Sequence, residues 1–542
     1  MKEKKAKRYD VPLIIMSVVI VLGLVAFLVI WPEGTLNAIQ KPYNFFTVNC
    51  GPIDQICNFI IICGAFAIVL SKYGNIRMGY GRPKYSVFSW CGMVFTAGLG
   101  AACIYWGTVE WAHHYNNLSP LVNGAGVMTP EVRYEWAFAY HWLHWGPFAE
   151  PIYTICAVAC GYLYYNKKVT KVIDFGETVS YFVGRPGSKV ISKVIDVVFV
   201  LSVISSCVIT VGLGLPIIRY AISFIFNIEI GNTFYYCLIL AVTFIYYITS
   251  YLGIDKGLRY ISDWNVYGVI VVGVFILFAG PTQFILDGYL AGVSLVLNNL
   301  PRMLLWLDPV GQSLFPQWWS AFNWLYMASF GPFTGMFLAR ISEGRTLRGT
   351  ILAVVIGCPV GFFLFNAMAS WFGIYLQTQG LVDVVSAVAV SEAAGYEALI
   401  QVFAHLPLGK IVVALLAIVS TLFLATTMDS STYTVANIVE SGRPAGTDPR
   451  PAHRLAWSIG VTIIPLVCLS VGADLTTFKS LGIVIAFPVL ILEAFLVIAL
   501  IRQLKKDYGD KSSDEILREF RLPKEAAEPP AVSSPGPAAA QE

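Results

Sequence analysis

Phe330-Gly331-Pro332-Phe333-Thr334-Gly335 interrupts one long apolar stretch of this chain, and Ala97-Gly98-Leu99-Gly100-Ala101-Ala102 interrupts another. Glycine and proline weaken a helix at the point where they stand. Inside a bilayer, backbone freed in this way is tolerated only where protein or water satisfies it. The two runs therefore predict two interrupted membrane helices lining a polar site. They fall in the third and eighth apolar stretches, five apart. That spacing is what two inverted five-helix repeats give, three to seven against eight to twelve, with a solute and ion site near the midplane between the paired breaks. Unwound backbone there offers carbonyls to a cation and N–H groups to an anion. Small residues also let helices pack closely, so the reading rests on the pair of runs.

The composition around them is that of a chain in lipid. Of 542 residues, 57% are hydrophobic and only 13% charged, against roughly 25% charged in soluble domains. Twelve stretches approach the roughly 20 apolar residues of a spanning helix: 11–31, 53–72, 87–113, 134–165, 191–225, 233–253, 260–287, 317–340, 348–376, 409–438, 456–472 and 481–502. The expected fold is an all-α polytopic membrane protein of twelve transmembrane helices. Its expected parts are a tail at 1–10, two peripheral helices in 11–86, a first repeat in 87–291, an interfacial amphipathic helix in 292–315, a second repeat in 316–503 and a tail at 504–542. The amphipathic pattern of that interfacial helix runs from Ser294 to Leu305. The basic start, Lys2 to Arg8, precedes the first apolar run with no cleavage site after it, so that run is read as a span.

Lysine and arginine collect before the first helix, between helices two and three and between four and five, and after helices eight and ten; the alternate loops are nearly bare of them. The positive-inside rule then places both termini in the cytoplasm. A net charge of +3 gives no footprint for nucleic acid. The 11 cysteines form no CxxC pair and read as small core residues. No HExxH or nucleophile–base set is present to suggest an enzyme. His113 and His114 are expected at the outer membrane interface, outside any metal site. Gly212-Leu213-Gly214 reads as a packing or hinge feature, because no strand precedes it and no P-loop lysine follows.

Several motifs carry a resemblance. Gly335-Met336-Phe337-Leu338-Ala339-Arg340-Ile341-Ser342-Glu343-Gly344-Arg345-Thr346 is joined by Leu300-Pro301-Arg302-Met303 and Phe315-Pro316-Gln317 upstream. His144-Trp145-Gly146-Pro147 with Tyr153, and Thr426-Thr427-Met428-Asp429-Ser430, complete the set. Together they resemble the betaine/carnitine/choline transporter family, with Glu343 in place of the usual arginine of the first motif. The resemblance implies a leucine-transporter-like inverted-repeat core preceded by two extra helices, homotrimers in the cell (inner) membrane, and substrates bearing a substituted ammonium. A quaternary ammonium has no N–H to donate, so aromatic faces must hold it by cation–π attraction.

By the same resemblance the substrate box comprises Trp145 and Tyr153 on helix four and Tyr326, Met327 and Phe330 on helix eight, with Trp324 close by. Glu150 stands where the family commonly has another tryptophan. A carboxylate in mid-membrane is a functional candidate for a cationic substrate, an ion or a proton; the plainer reading pairs it with His141 or His144. The implied sodium ligands are Thr96, Leu99 and Phe423 through their backbone, and Ser329, Thr426 and Thr427 through hydroxyls. The plainer reading of the two threonines is bonding to their own helix. Asn265 stands where sodium-independent relatives carry an arginine, which favours Na⁺ as the coupling ion, with no other cofactor. Sodium-independent exchange, or proton coupling through Glu150, is the alternative.

Overall fold

The computed structural model describes residues 9–98, 100–122, 124, 128–440, 447–470 and 475–521. Within them the chain is helical, with one isolated antiparallel bridge between Arg77 and Thr346. The helices in the first half are α1 (Val11–Ile30), α2 (Pro32–Asn44), α3 (Gly51–Leu70), α4 (Val87–Gly98), α5 (Gly100–Asn117), α6 (Pro130–Trp145), α7 (Pro151–Gly161), α8 (Phe175–Phe182), α9 (Lys189–Phe226), α10 (Asn232–Leu252) and α11 (Arg259–Ala279). The second half holds α12 (Thr282–Leu305), α13 (Phe322–Ile341), α14 (Leu347–Leu352), α15 (Cys358–Phe362), α16 (Met368–Thr378), α17 (Val384–Val390), α18 (Glu392–Ala404), α19 (Gly409–Val439), α20 (Pro451–Ser470), α21 (Leu475–Tyr508) and α22 (Ser513–Glu519). Among the described residues, eight helices are long and apolar enough to cross a membrane, and a ninth if α4 and α5 form one bent span. The other three expected spans fall on α6 with α7, on α10 and on α13. The helix expected from Ser294 starts earlier, at Thr282, and runs unbroken through Pro301.

The first glycine run behaves as expected. α4 and the body of α5 diverge by 63°, and Leu99, at the joint, lies outside the described residues. The second run does not break its helix: α13 is continuous from Phe322 to Ile341 with Pro332 inside it. The hydroxyls of Ser202 and Ser206 on α9 both donate to the Ser329 carbonyl, at 2.5 and 2.7 Å, and the Cys156 thiol approaches the Pro332 carbonyl at 3.5 Å. Neighbouring helices thus satisfy backbone around the proline, as they do in other membrane helices. The glycines of this run serve close packing. A Cβ on Gly335 would stand 2.6 Å from Cys156 Cβ on α7, and one on Gly331 would stand 2.2 Å from a Glu493 carboxylate oxygen on α21.

The second interruption is in helix four. The stretch expected to be one rod over 134–165 divides into α6 and α7. Gly146 leaves the helix in an extended conformation (ψ −166°), which the following Pro147 favours. Pro151 restarts the helix at its first turn, where its missing N–H costs nothing. Trp145 and Glu150 therefore flank a break.

One face of the bundle gathers the basic loops and both described chain ends. Lys72 donates to the carbonyls of Gly509 and Lys511 at 2.7 and 2.6 Å, Lys167 pairs with Asp507 at 3.1 Å, and Lys193 pairs with Asp10. Arg340 meets Asp448 at 3.1 Å, and Tyr9 stacks on His453. The motif after α13 is the clasp of this face. Gly344 adopts φ +78° with Gly81 and Pro83 against it, Arg345 lies over the Trp90 ring, and Thr346 caps α14.

Gly335→Ala is expected to destabilise the protein by about 1–3 kcal/mol, because the α7 backbone beside it has no room to move. Thermal unfolding of the purified protein in detergent checks this; an unchanged midpoint would show that the α7–α13 contact is looser than its geometry.

Candidate substrate and ion site

Trp145 ends α6 with its indole buried between the two halves of the bundle. It stacks on Phe362 at 5.4 Å and meets Tyr326 edge-on at 5.8 Å. Tyr326 in turn contacts Phe330 at 5.2 Å. On the next turn of the site, the Tyr153 hydroxyl points to the Met327 sulfur at 2.8 Å. Trp145, Tyr153, Tyr326, Met327 and Phe330 are thus brought together, all buried. Trp324 is not among them: its indole donates to Gln55 Oε1 on α3 at 2.7 Å. The rings close on one another; the cavity beside Trp145 is about 10 Å³, room for about one water molecule.

Glu150 lies at the start of α7, fully buried, and neither carboxylate oxygen has a hydrogen-bond partner. His141 and His144 do not supply one, because both turn to Glu110. Glu493, packed against Gly331, is a second fully buried carboxylate without a hydrogen-bond partner. A carboxylate in that condition must hold a proton or meet a cation, since an isolated buried charge is too costly.

The candidate ion ligands converge in part. The Thr96 carbonyl, at the end of α4, accepts from the hydroxyls of Thr426 and Thr427 on α19 at 3.3 and 3.2 Å. The Phe423 carbonyl lies 3.0 Å from the Thr426 hydroxyl. Two carbonyls and two hydroxyls so placed form a hard-oxygen set of the kind that suits Na⁺. The Thr426 hydroxyl also reaches its own helix at Leu422, 3.0 Å away, which is the plainer role expected for it. Close approach of α5 and α19 depends on Gly100, where a Cβ would stand 2.8 Å from Thr427 Oγ1. The Ser329 hydroxyl turns back to the Tyr326 carbonyl of its own helix. Leu99 lies outside the described residues. Asn265, on α11 below Ser262, is buried with both amide atoms unpartnered.

Sequence reasoning missed the group that orders the site. Glu110 on α5 accepts from His141 Nδ1 at 2.6 Å and from the Trp145 indole, and lies 3.1 Å from His144 Nδ1 and 3.3 Å from His114 Nε2. Near the end of α5, His114 is wholly buried and half-buried His113 sits against Trp319. The sequence signal was present: Glu110 and His114 are four apart, and His141 and His144 three apart, which puts each pair on one helix face.

Beside this cluster lies a cavity of about 380 Å³, lined by Trp106, Trp318, Trp319, Phe322 and Lys479 among others. The Lys479 ammonium rests over the rings of Trp106 and Phe322 at 5.5 and 5.7 Å. These rings already accommodate a cation, in a space large enough for a small solute.

The profile of the betaine/carnitine/choline family transporters matches residues 12–509, and the chain belongs to that family. It is a membrane transporter rather than an enzyme. A carnitine transporter of Acinetobacter baumannii is 30% identical over 88% of this chain and 84% of its own length. The transporter YeaV of Escherichia coli K12 is 30% identical over 85% of this chain and 94% of its own. A solved Na⁺-coupled sialic acid symporter aligns with a TM-score of 0.40 at 14% identity, covering 86% of this chain and 83% of that one.

Because Trp324 faces Gln55, Trp324→Phe is expected to cost about 1 kcal/mol of stability through one lost hydrogen bond while leaving solute affinity within about twofold. Thermal unfolding and solute titration of the same sample check both halves. A tenfold loss of affinity would put Trp324 in the box after all.

Proposed function

We propose that this protein is a secondary transporter that moves a quaternary-ammonium solute of the betaine, carnitine or choline type by alternating access, coupled to Na⁺. The observation that carries this reading is the cage of Trp145, Tyr153, Tyr326 and Phe330, with Met327 among them, beside the unpartnered carboxylate of Glu150. The aromatic faces suit an onium group that cannot donate hydrogen bonds. Glu150 adds negative charge where the family commonly has a ring, and meets the ammonium. Carnitine is the first solute to test, because the Acinetobacter relative is a carnitine transporter. The convergence of Thr96, Phe423, Thr426 and Thr427 supports Na⁺ as the coupling ion, and Asn265 leaves that region without an arginine. Twelve spans, a homotrimer, and a cytoplasmic position for the basic face in the cell membrane complete the proposal.

The test is a titration of the purified protein with carnitine, γ-butyrobetaine, glycine betaine and choline, with and without Na⁺, following tryptophan fluorescence. Saturable binding that tightens with Na⁺ is expected for at least one of them. Trp145→Ala should weaken it about tenfold or more, the worth of a desolvated cation–π contact. Thr427→Ala should raise the Na⁺ concentration needed for half the effect. No binding of any of the four would remove the solute assignment.

A second reading, proton coupling without sodium, is favoured by Glu150 itself, since an unpartnered buried carboxylate is also a proton site. Glu150→Gln separates the two. Binding that becomes independent of pH in the variant supports proton coupling, whereas weaker binding with Na⁺ dependence intact supports contact with the ammonium. Binding unchanged at every pH would mean that Glu150 does neither.

A further inference from the structure

The hydrogen-bond directions around Glu110 leave an unresolved contact. The outer nitrogen of His114, Nδ1, lies 3.0 Å from the Ala137 carbonyl. A carbonyl only accepts, so that nitrogen carries the proton and, in the neutral ring, Nε2 presents a lone pair. This lone pair faces Glu110 Oε1 at 3.3 Å. His144 takes the same tautomer when the Ser320 hydroxyl accepts from it. Its outer nitrogen, Nε2, is 3.0 Å from the Ser320 hydroxyl and its inner nitrogen, Nδ1, is 3.1 Å from the same Oε1. Glu110 Oε2 is engaged separately, by His141 Nδ1 and by the Trp145 indole. Two imidazole nitrogens therefore converge on one carboxylate oxygen, three ligand atoms in all, in a site with almost no solvent exposure.

We propose that Glu110, His114 and His144 bind a divalent transition metal of the zinc class. The three ligand atoms lie within 4.8 Å of one another. The contacts of 3.1 and 3.3 Å already match the edge of a tetrahedral shell with bonds of about 2.0–2.1 Å, which is about 3.3 Å. Nitrogen and carboxylate donors suit a borderline cation. The surroundings are those of a metal site as well: each ligating imidazole gives its other nitrogen to a backbone carbonyl or a hydroxyl, and the ligating carboxylate receives two further N–H groups. Ser320 lies in the π-turn Gln317–Ala321 that leads into α13, so the ion ties α5, α6 and the entry to α13 together. Its carboxylate ligand also holds Trp145. A bound metal therefore fixes the box tryptophan at the break behind it.

This inference concerns residues outside the proposed box and is tested without solute. The full-length protein, purified without a polyhistidine tag and stripped with chelator, is titrated with Co²⁺. One equivalent is expected to bind and to show the visible bands of a tetrahedral cobalt site, which Zn²⁺ then displaces. His114→Gln should abolish the bands. Ser320→Ala, which keeps all three ligands and removes only an acceptor of the second layer, should weaken Zn²⁺ binding about tenfold. Absence of a cobalt spectrum in the wild-type protein would overturn the proposal, as would a spectrum and a Zn²⁺ affinity unaltered in both variants.

Discussion

The carboxylate of Glu110 is the point on which the rest of the site depends. It is buried in α5, in surroundings where a charge survives only if it meets donors or cations. Its donors come from one turn of α6, through His141 and Trp145, with His144 against its other oxygen. His144 extends the connection to Ser320 ahead of α13, and the Asn323 amide returns to the His144 carbonyl at 3.0 Å. Three segments that meet around Trp145 are thereby held in register by one polar cluster. Such a cluster is strong when fully satisfied and costly when one member is removed. The orientation of Trp145, the central ring of the box, follows from it.

Two helix breaks surround this cluster, and they have different uses. The break between α4 and α5 has the Thr96 carbonyl aimed at the hydroxyls of α19, which the proposed function assigns to a cation. The break between α6 and α7 places Trp145 on one side and Glu150 on the other, which the proposed function assigns to an onium group. α13 stays continuous and brings Tyr326, Met327 and Phe330 to the same place. Two discontinuous helices packed on continuous ones allow local rearrangement without loss of the bundle, as alternating access requires. The rings are closed on one another here, while a solute-sized space lined by Trp106, Trp319 and Phe322 lies beside them.

Much of this was legible in the sequence, for physical reasons that can be named. Apolar length located the helices, since lipid forces satisfied backbone into helical form. The glycine run at Ala97–Ala102 located one break correctly. The run at Phe330–Gly335 misled, because glycine beside proline reads the same whether it opens a helix or lets neighbours close on it; only the hydroxyls of Ser202 and Ser206, far away in sequence, decide between the two. The break at Gly146 was hidden inside a motif whose rings drew the attention. Motif register singled out Trp145 and Tyr326, whose rings meet here, whereas Trp324, two residues from Tyr326, turns to α3 for a partner that the sequence cannot place. Glu110, His114, His141 and His144 come from two helices, and helical spacing shows each pair but not their meeting.

The central claim is that these elements move an onium solute at the expense of a sodium gradient. Uptake of labelled carnitine into proteoliposomes containing the purified protein, with and without an inward Na⁺ gradient, tests it most directly. Accumulation above the external concentration only when the gradient is present is the predicted result. Carnitine that equilibrates or exchanges equally well without sodium would contradict the coupling, and vesicles that take up no onium compound under either condition would contradict the claim as a whole.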